Sequence, residues 1–143
     1  MKAFFLAVAF CFANSFITLN PADAIVGIWQ NGAGKGHIQI YKQSGKYFGK
    51  IVWLKDANDQ NGKPKVDKKN DDPNKRSRPL IGLVMLRDFE YKNGEWRNGR
   101  IYNPSDGREY KAYIKSEDNK TLSIRGYMGI SLIGKTDTWT RVK

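Results

Sequence analysis

The sequence predicts an all-β fold, a single up-and-down antiparallel β-barrel of about eight strands. Three observations point there. Short runs in residues 25–143 alternate apolar and polar residues with period two, the pattern of a sheet with one wet face. The pairs Ser44-Gly45, Asn93-Gly94, Asp106-Gly107 and Asp118-Asn119 fall between these runs. Such pairs accept the positive φ of tight hairpins, which makes sequential strands antiparallel neighbours. No segment of this region carries the apolar spacing of a helix.

The chain opens on an address. Met1-Lys2 is a short positive start, and Ala3–Ala13 is unbroken apolar sequence. Asn14 and Ser15 interrupt it, and Pro21-Ala22-Asp23-Ala24 follows. Together these predict a secretory signal peptide over residues 1–24, cleaved after Ala24, with Ser15 as the alternative site. The run is too short for a spanning helix, which needs about 20 apolar residues, and it is apolar on every face, unlike an amphipathic core helix. Phe10 before Cys11 is too large for a lipid-attachment signal. Cleavage after Ala24 removes Lys2 and Asp23 together, so the net charge of +11 is unchanged. It also removes the single cysteine, leaving a fold held by packing alone in a periplasmic or extracellular setting.

The strands follow in order. Val26–Trp29 is the first. His37–Lys42 places Ile38 and Ile40 on one face, and Tyr47–Leu54 places Tyr47, Gly49, Ile51 and Trp53 together. Alternation predicts that all four of these face inward. Leu83–Tyr91 alternates less cleanly. Trp96–Tyr102, Tyr110–Lys115, Thr121–Tyr127 and Lys135–Val142 complete the set. A barrel rather than a sandwich removes exposed edges. The hairpins are too many for a five-stranded oligonucleotide-binding barrel.

Residues 56–78 break the rhythm, with almost no apolar content and seven basic against five acidic side chains. Loops of this length are usually lids, binding loops or disordered segments. Residues 128–133, between the last two strands, are conversely apolar for a hairpin tip. That composition suits a mouth lining, packing beneath the long loop, or contact with a membrane or partner.

Gly27-Ile28-Trp29 opens the first strand, and Trp139-x-Arg141 closes the last. This pairing resembles the signature of lipocalin and avidin-like barrels. There the tryptophan closes one end and the arginine caps its face, a cation–π arrangement. Further motifs are Arg76-x-Arg78-Pro79-Leu80-Ile81-Gly82, Gly99-Arg100-Ile101-Tyr102-Asn103-Pro104 and Arg125-Gly126-Tyr127-Met128-Gly129. In this order they resemble the secreted bacterial domain-of-unknown-function family 2147, over almost all of residues 25–143. The resemblance implies a lipocalin-like barrel outside the cytoplasm and no settled activity.

No group of residues makes an enzyme. His37 is the only histidine, it sits opposite Ile38 and Ile40, and no serine lies in a G-x-S-x-G turn. Asp88 and Glu90 read as a solvated strand face. Residues 56–62 invite a calcium loop, but setting Gly62 at position 6 puts Ala57 at position 1 and Lys68 at position 12, and both fail as ligands. Neither a metal nor a cofactor is expected. Arg76, Arg78 and Arg125 are expected first to pair with Asp137 or bond loop carbonyls, and second to grip a ligand carboxylate or phosphate.

These readings converge on a non-enzymatic protein holding a small apolar or amphiphilic molecule inside a barrel. The candidate contacts are Trp53, Tyr47, Arg78, Arg125 and Tyr127; Gly27, Trp29, Trp139 and Arg141 are assigned to barrel closure. The alternative is an envelope-surface protein whose charge binds anionic lipid or polysaccharide. Nucleic acid is not an expected partner for a secreted chain, and the sequence carries no signal of oligomeric state.

Overall fold

The structure, a computed structural model, describes residues 19–127 and 134–143. Eight strands run in chain order: β1 (Gly27–Gln30), β2 (Gly36–Gln43), β3 (Lys46–Leu54), β4 (Val84–Lys92), β5 (Glu95–Asn103), β6 (Arg108–Lys115), β7 (Thr121–Tyr127) and β8 (Gly134–Arg141). Each pairs antiparallel with the next, and β8 returns to β1 through Trp29 opposite Arg141, closing the barrel. The expected up-and-down barrel is therefore the observed one. Ser44, Asn93 and Asn119 take positive φ at the tight turns, as do Gly45, Gly94 and Gly107.

The β2–β3, β4–β5 and β6–β7 hairpins lie at one end, the base. The β1–β2, β3–β4 and β5–β6 connections lie at the other, the mouth. The lower barrel is filled by its own side chains: Trp29, Ile40, Tyr47, Leu86, Phe89, Trp96, Ile114, Leu122, Ile124 and Trp139 are all buried in one cluster.

A 3-10 turn, Pro21–Ile25, closes the base, with Ala22 and Ile25 buried. The indole of Trp29 donates to the Ile25 carbonyl (2.9 Å), and that of Trp96 donates to the Ala22 carbonyl (2.9 Å). The Arg141 guanidinium lies 4.2 Å from the Trp29 ring centroid and donates to the carbonyls of Ala24, Val26 and Asn119. Trp29 and Arg141 are thus stacked at the base, where β8 pairs with β1. Trp139 is buried near them and donates to the Asp137 carboxylate (2.8 Å).

Two irregularities change which side chains enter the barrel. On β3 the register shifts so that His37 faces Trp53 while Ile38 faces Ile51. Two β3 residues oppose one on β2, and such a bulge inverts the side-chain phase beyond it. Trp53 therefore points outward, 40% exposed and packed on His37 (ring centroids 4.3 Å), which corrects its expected inward placement. On β4 and β5, Asp88 and Asn98 take positive φ, so Leu86 and Phe89 both face inward three residues apart. This explains the imperfect alternation of that strand.

The Phe89 ring lies on Gly99, where a Cβ would overlap it. Gly99→Ala is accordingly expected to destabilise the fold by about 1–3 kcal/mol, the usual range for overpacking. Urea denaturation checks this; an unchanged midpoint would mean the ring moves aside freely.

Candidate functional site

The long polar connection is an ordered strap. Its two arms pair through bridges between Asn58 and Pro64 and between Val66 and Pro79. The Lys65 amide donates to the Ala57 carbonyl (3.0 Å), and the Leu80 amide donates to the Lys65 carbonyl (3.0 Å). Asp72 caps a 3-10 turn, Pro73–Lys75, by accepting from the Asn74 amide.

Asp67 anchors this strap. It is the one fully buried charged residue among the described residues. One carboxylate oxygen accepts from the Tyr102 hydroxyl (2.6 Å), and the other accepts from Asn70 (2.8 Å) and Arg78 (3.2 Å). Burial pushes its pKa up, but hydrogen bonds from Tyr102, Asn70 and Arg78 outweigh that and hold it below the usual carboxylate range. Burial and the Asp67 carboxylate push the Tyr102 phenol up to about 12. Lys69 reaches the Ser105 carbonyl (2.7 Å), and its own backbone packs so close to Gly107 that no side chain fits there. The strap is thus fixed to the β5–β6 turn.

Beneath it the mouth is open. A cavity of about 460 Å³ is floored by Ile38 and Ile51 and walled by Leu54, Leu80 and Met85. Lys35, Asp56 and Lys65 stand at its rim with Asn31, Asn103 and Ser105. The cavity is therefore apolar below and charged above. The β3 bulge that turns Trp53 outward also turns Leu54 toward this space.

The expected contact residues do not converge here. Tyr47 faces inward as expected, but at the closed base, where its hydroxyl donates to Asp23 (2.5 Å). That contact, with Lys42, holds the Asp23 carboxyl below its ordinary value, while burial and Asp23 push the Tyr47 phenol up. Trp53 is outside. Arg78 is held in the strap by Asp67. Arg76 bonds the carbonyls of Asn70 and Asp71, one of the structural roles expected of it. Arg125 lies on the outer wall, donating to Thr136 (3.1 Å). Tyr127 packs on Tyr113 (6.1 Å between centroids) in an outer groove with Arg97, Asn98 and Lys115. The apolar residues 128–133 lie outside the described residues, although their flanks Tyr127 and Gly134 stand at the mouth end.

His37 sits on the outer wall against Gln30 and Trp53. Around residues 56–62, Asp59 accepts from the amides of Asn61 and Lys63 in a polar turn. Among the described residues no three His, Cys, Asp or Glu side chains are grouped to hold a metal. No helix among them is long and apolar enough to cross a membrane.

A closed eight-stranded antiparallel barrel, stacked Trp/Arg at its base and open at its mouth, defines a lipocalin-like protein. A solved structure agrees: Protein HP1028 from Helicobacter pylori, described as belonging to the lipocalin family, is similar with a TM-score of 0.73 and 27% sequence identity over 83% of each chain. Residues 27–141 match the family described as "Uncharacterized protein conserved in bacteria (DUF2147)", and the chain belongs to that family. No curated protein matches the sequence.

Proposed function

We propose that this protein is a non-enzymatic, exported binding protein that takes a small amphiphile into the mouth of its barrel. The observation that carries this reading is the cavity of about 460 Å³, apolar at Ile38, Ile51, Leu54, Leu80 and Met85 and rimmed by Lys35 and Lys65. Its volume lies in the ordinary range for small-molecule sites, about 300–1,000 Å³. The described residues of the lower barrel are packed together, which favours a short ligand with its tail on the apolar floor and its head at the rim. Two lysines against one aspartate there favour an anionic head. The lipocalin-like fold supports a binding role over a catalytic one.

Titration calorimetry with decanoate and decanol tests this. The Lys35→Glu/Lys65→Glu variant is expected to lose about tenfold in decanoate affinity while binding decanol as the wild type does. Absence of binding to both probes, or an indifferent charge reversal, would overturn it. The alternative, adhesion to anionic lipid or polysaccharide through the net charge of +11, predicts vesicle binding that collapses with salt.

A further inference from the structure

The base of the barrel bears on where the leader is removed. If cleavage followed Ala24, the new ammonium would sit on Ile25, and removal of the preceding turn residues would strip cover from a side chain that the intact base buries completely. The same cut would remove four contacts. Trp96 would lose the Ala22 carbonyl, and Tyr47 and Lys42 would lose the Asp23 carboxylate. Arg141 would lose the Ala24 carbonyl. Trp96 and Tyr47, 3% and 2% exposed with the turn in place, would lose these hydrogen-bond partners and part of their apolar cover. The Asn20 side chain also accepts from the Ala22 amide, starting the 3-10 turn. Leu19, just before it, is 84% exposed.

We propose that the leader is cut upstream of Asn20, at Ala13-Asn14-Ser15, and that Pro21–Ile25 stays in the mature protein as the plug of the barrel base. Ala13 and Ser15 supply the small-x-small pattern that leader cleavage requires, directly after the apolar run. Water hydrolyses the Ser15–Phe16 peptide bond, leaving a carboxylate on Ser15 and an ammonium on Phe16. In the folded barrel the Ala22-Asp23-Ala24 segment serves as part of the base plug. The proposal rests on the export reading made above, and the mature chain keeps Asp23, so it carries one positive charge fewer than a chain starting at Ile25.

The test is the intact mass of the full chain after expression and export in a Gram-negative host. A mature form beginning at Phe16, nine residues longer than one beginning at Ile25, is expected. A start at Ile25 overturns the proposal and leaves the export reading standing; a chain that keeps residues 1–15 overturns both. A second arm uses Ser15→Arg, which blocks the upstream site. Accumulation of uncleaved precursor is expected, and normal processing at Ala24 in that variant would contradict the proposal.

Discussion

Trp29→Ala is expected to cost about 4 kcal/mol, the largest single-residue effect in this barrel. The side chain is fully buried at the base, so truncation leaves a cavity that the packed neighbours cannot fill. It also removes the donor to the Ile25 carbonyl and the ring beneath the Arg141 guanidinium. The plug and the β1–β8 seam meet at this residue, so the loss extends to barrel closure. Trp29→Phe keeps an aromatic surface for Arg141 and loses the indole N–H, and is expected to cost about 1–3 kcal/mol. Urea denaturation of the three proteins checks the order. A Trp29→Ala loss below about 1 kcal/mol would mean that the seam does not depend on this stack.

Asp67→Ala is expected to be next, at about 3 kcal/mol, and to act locally. The substitution leaves Tyr102, Asn70 and Arg78 without their shared acceptor and releases the strap from the β5–β6 turn. Hydrogen exchange should accelerate at the Asp67 and Leu80 amides, whose acceptors lie within the strap, while β6 and β7 stay protected. Decanoate affinity should fall with it, because Lys65 and Leu80 line the mouth.

The pH dependence follows with a definite sign. The Asp67 pKa is lowered on folding, so its contribution is complete above the ordinary aspartate value of about 4 and is lost as pH falls through the lowered value. The strap should therefore loosen as pH falls below the ordinary aspartate range, and Asp67→Asn should remove that acid step. Exchange rates unchanged in Asp67→Ala would show that the strap is held by its backbone bridges alone.

Much of this was legible in sequence, for reasons that differ by element. The eight strands lie within a residue or two of where alternation put them, because the turn pairs at residues 44–45, 93–94 and 118–119 fix the hairpins locally. The Trp29/Arg141 pairing was suggested only by its resemblance to the lipocalin and avidin-like signature, and the two residues stack at the base. Trp53 was not: one inserted residue on β3 inverts the face of everything after it, and no residue type near residues 52–53 announces the bulge. Asp67 was hidden among five loop aspartates, and its burial comes from Tyr102, a residue 35 positions away. The packing of Pro21–Ile25 under Trp96 was not legible, since in sequence Ala22-Asp23-Ala24 reads only as a cleavage motif. The mouth residues carried one faint signal, the return of apolar sequence at Leu80-Ile81 after a long polar stretch.

Whether the mouth beneath the strap takes up an amphiphile is tested directly by nuclear magnetic resonance. Amide shifts of isotope-labelled protein are followed as decanoate is added. Saturable changes are expected at Lys35, Ile38, Ile51, Leu54, Lys65, Leu80 and Met85, with the base around Trp29 and Trp96 silent. Changes confined to the outer wall at Tyr113 and Tyr127, or no saturable change at all, would contradict it.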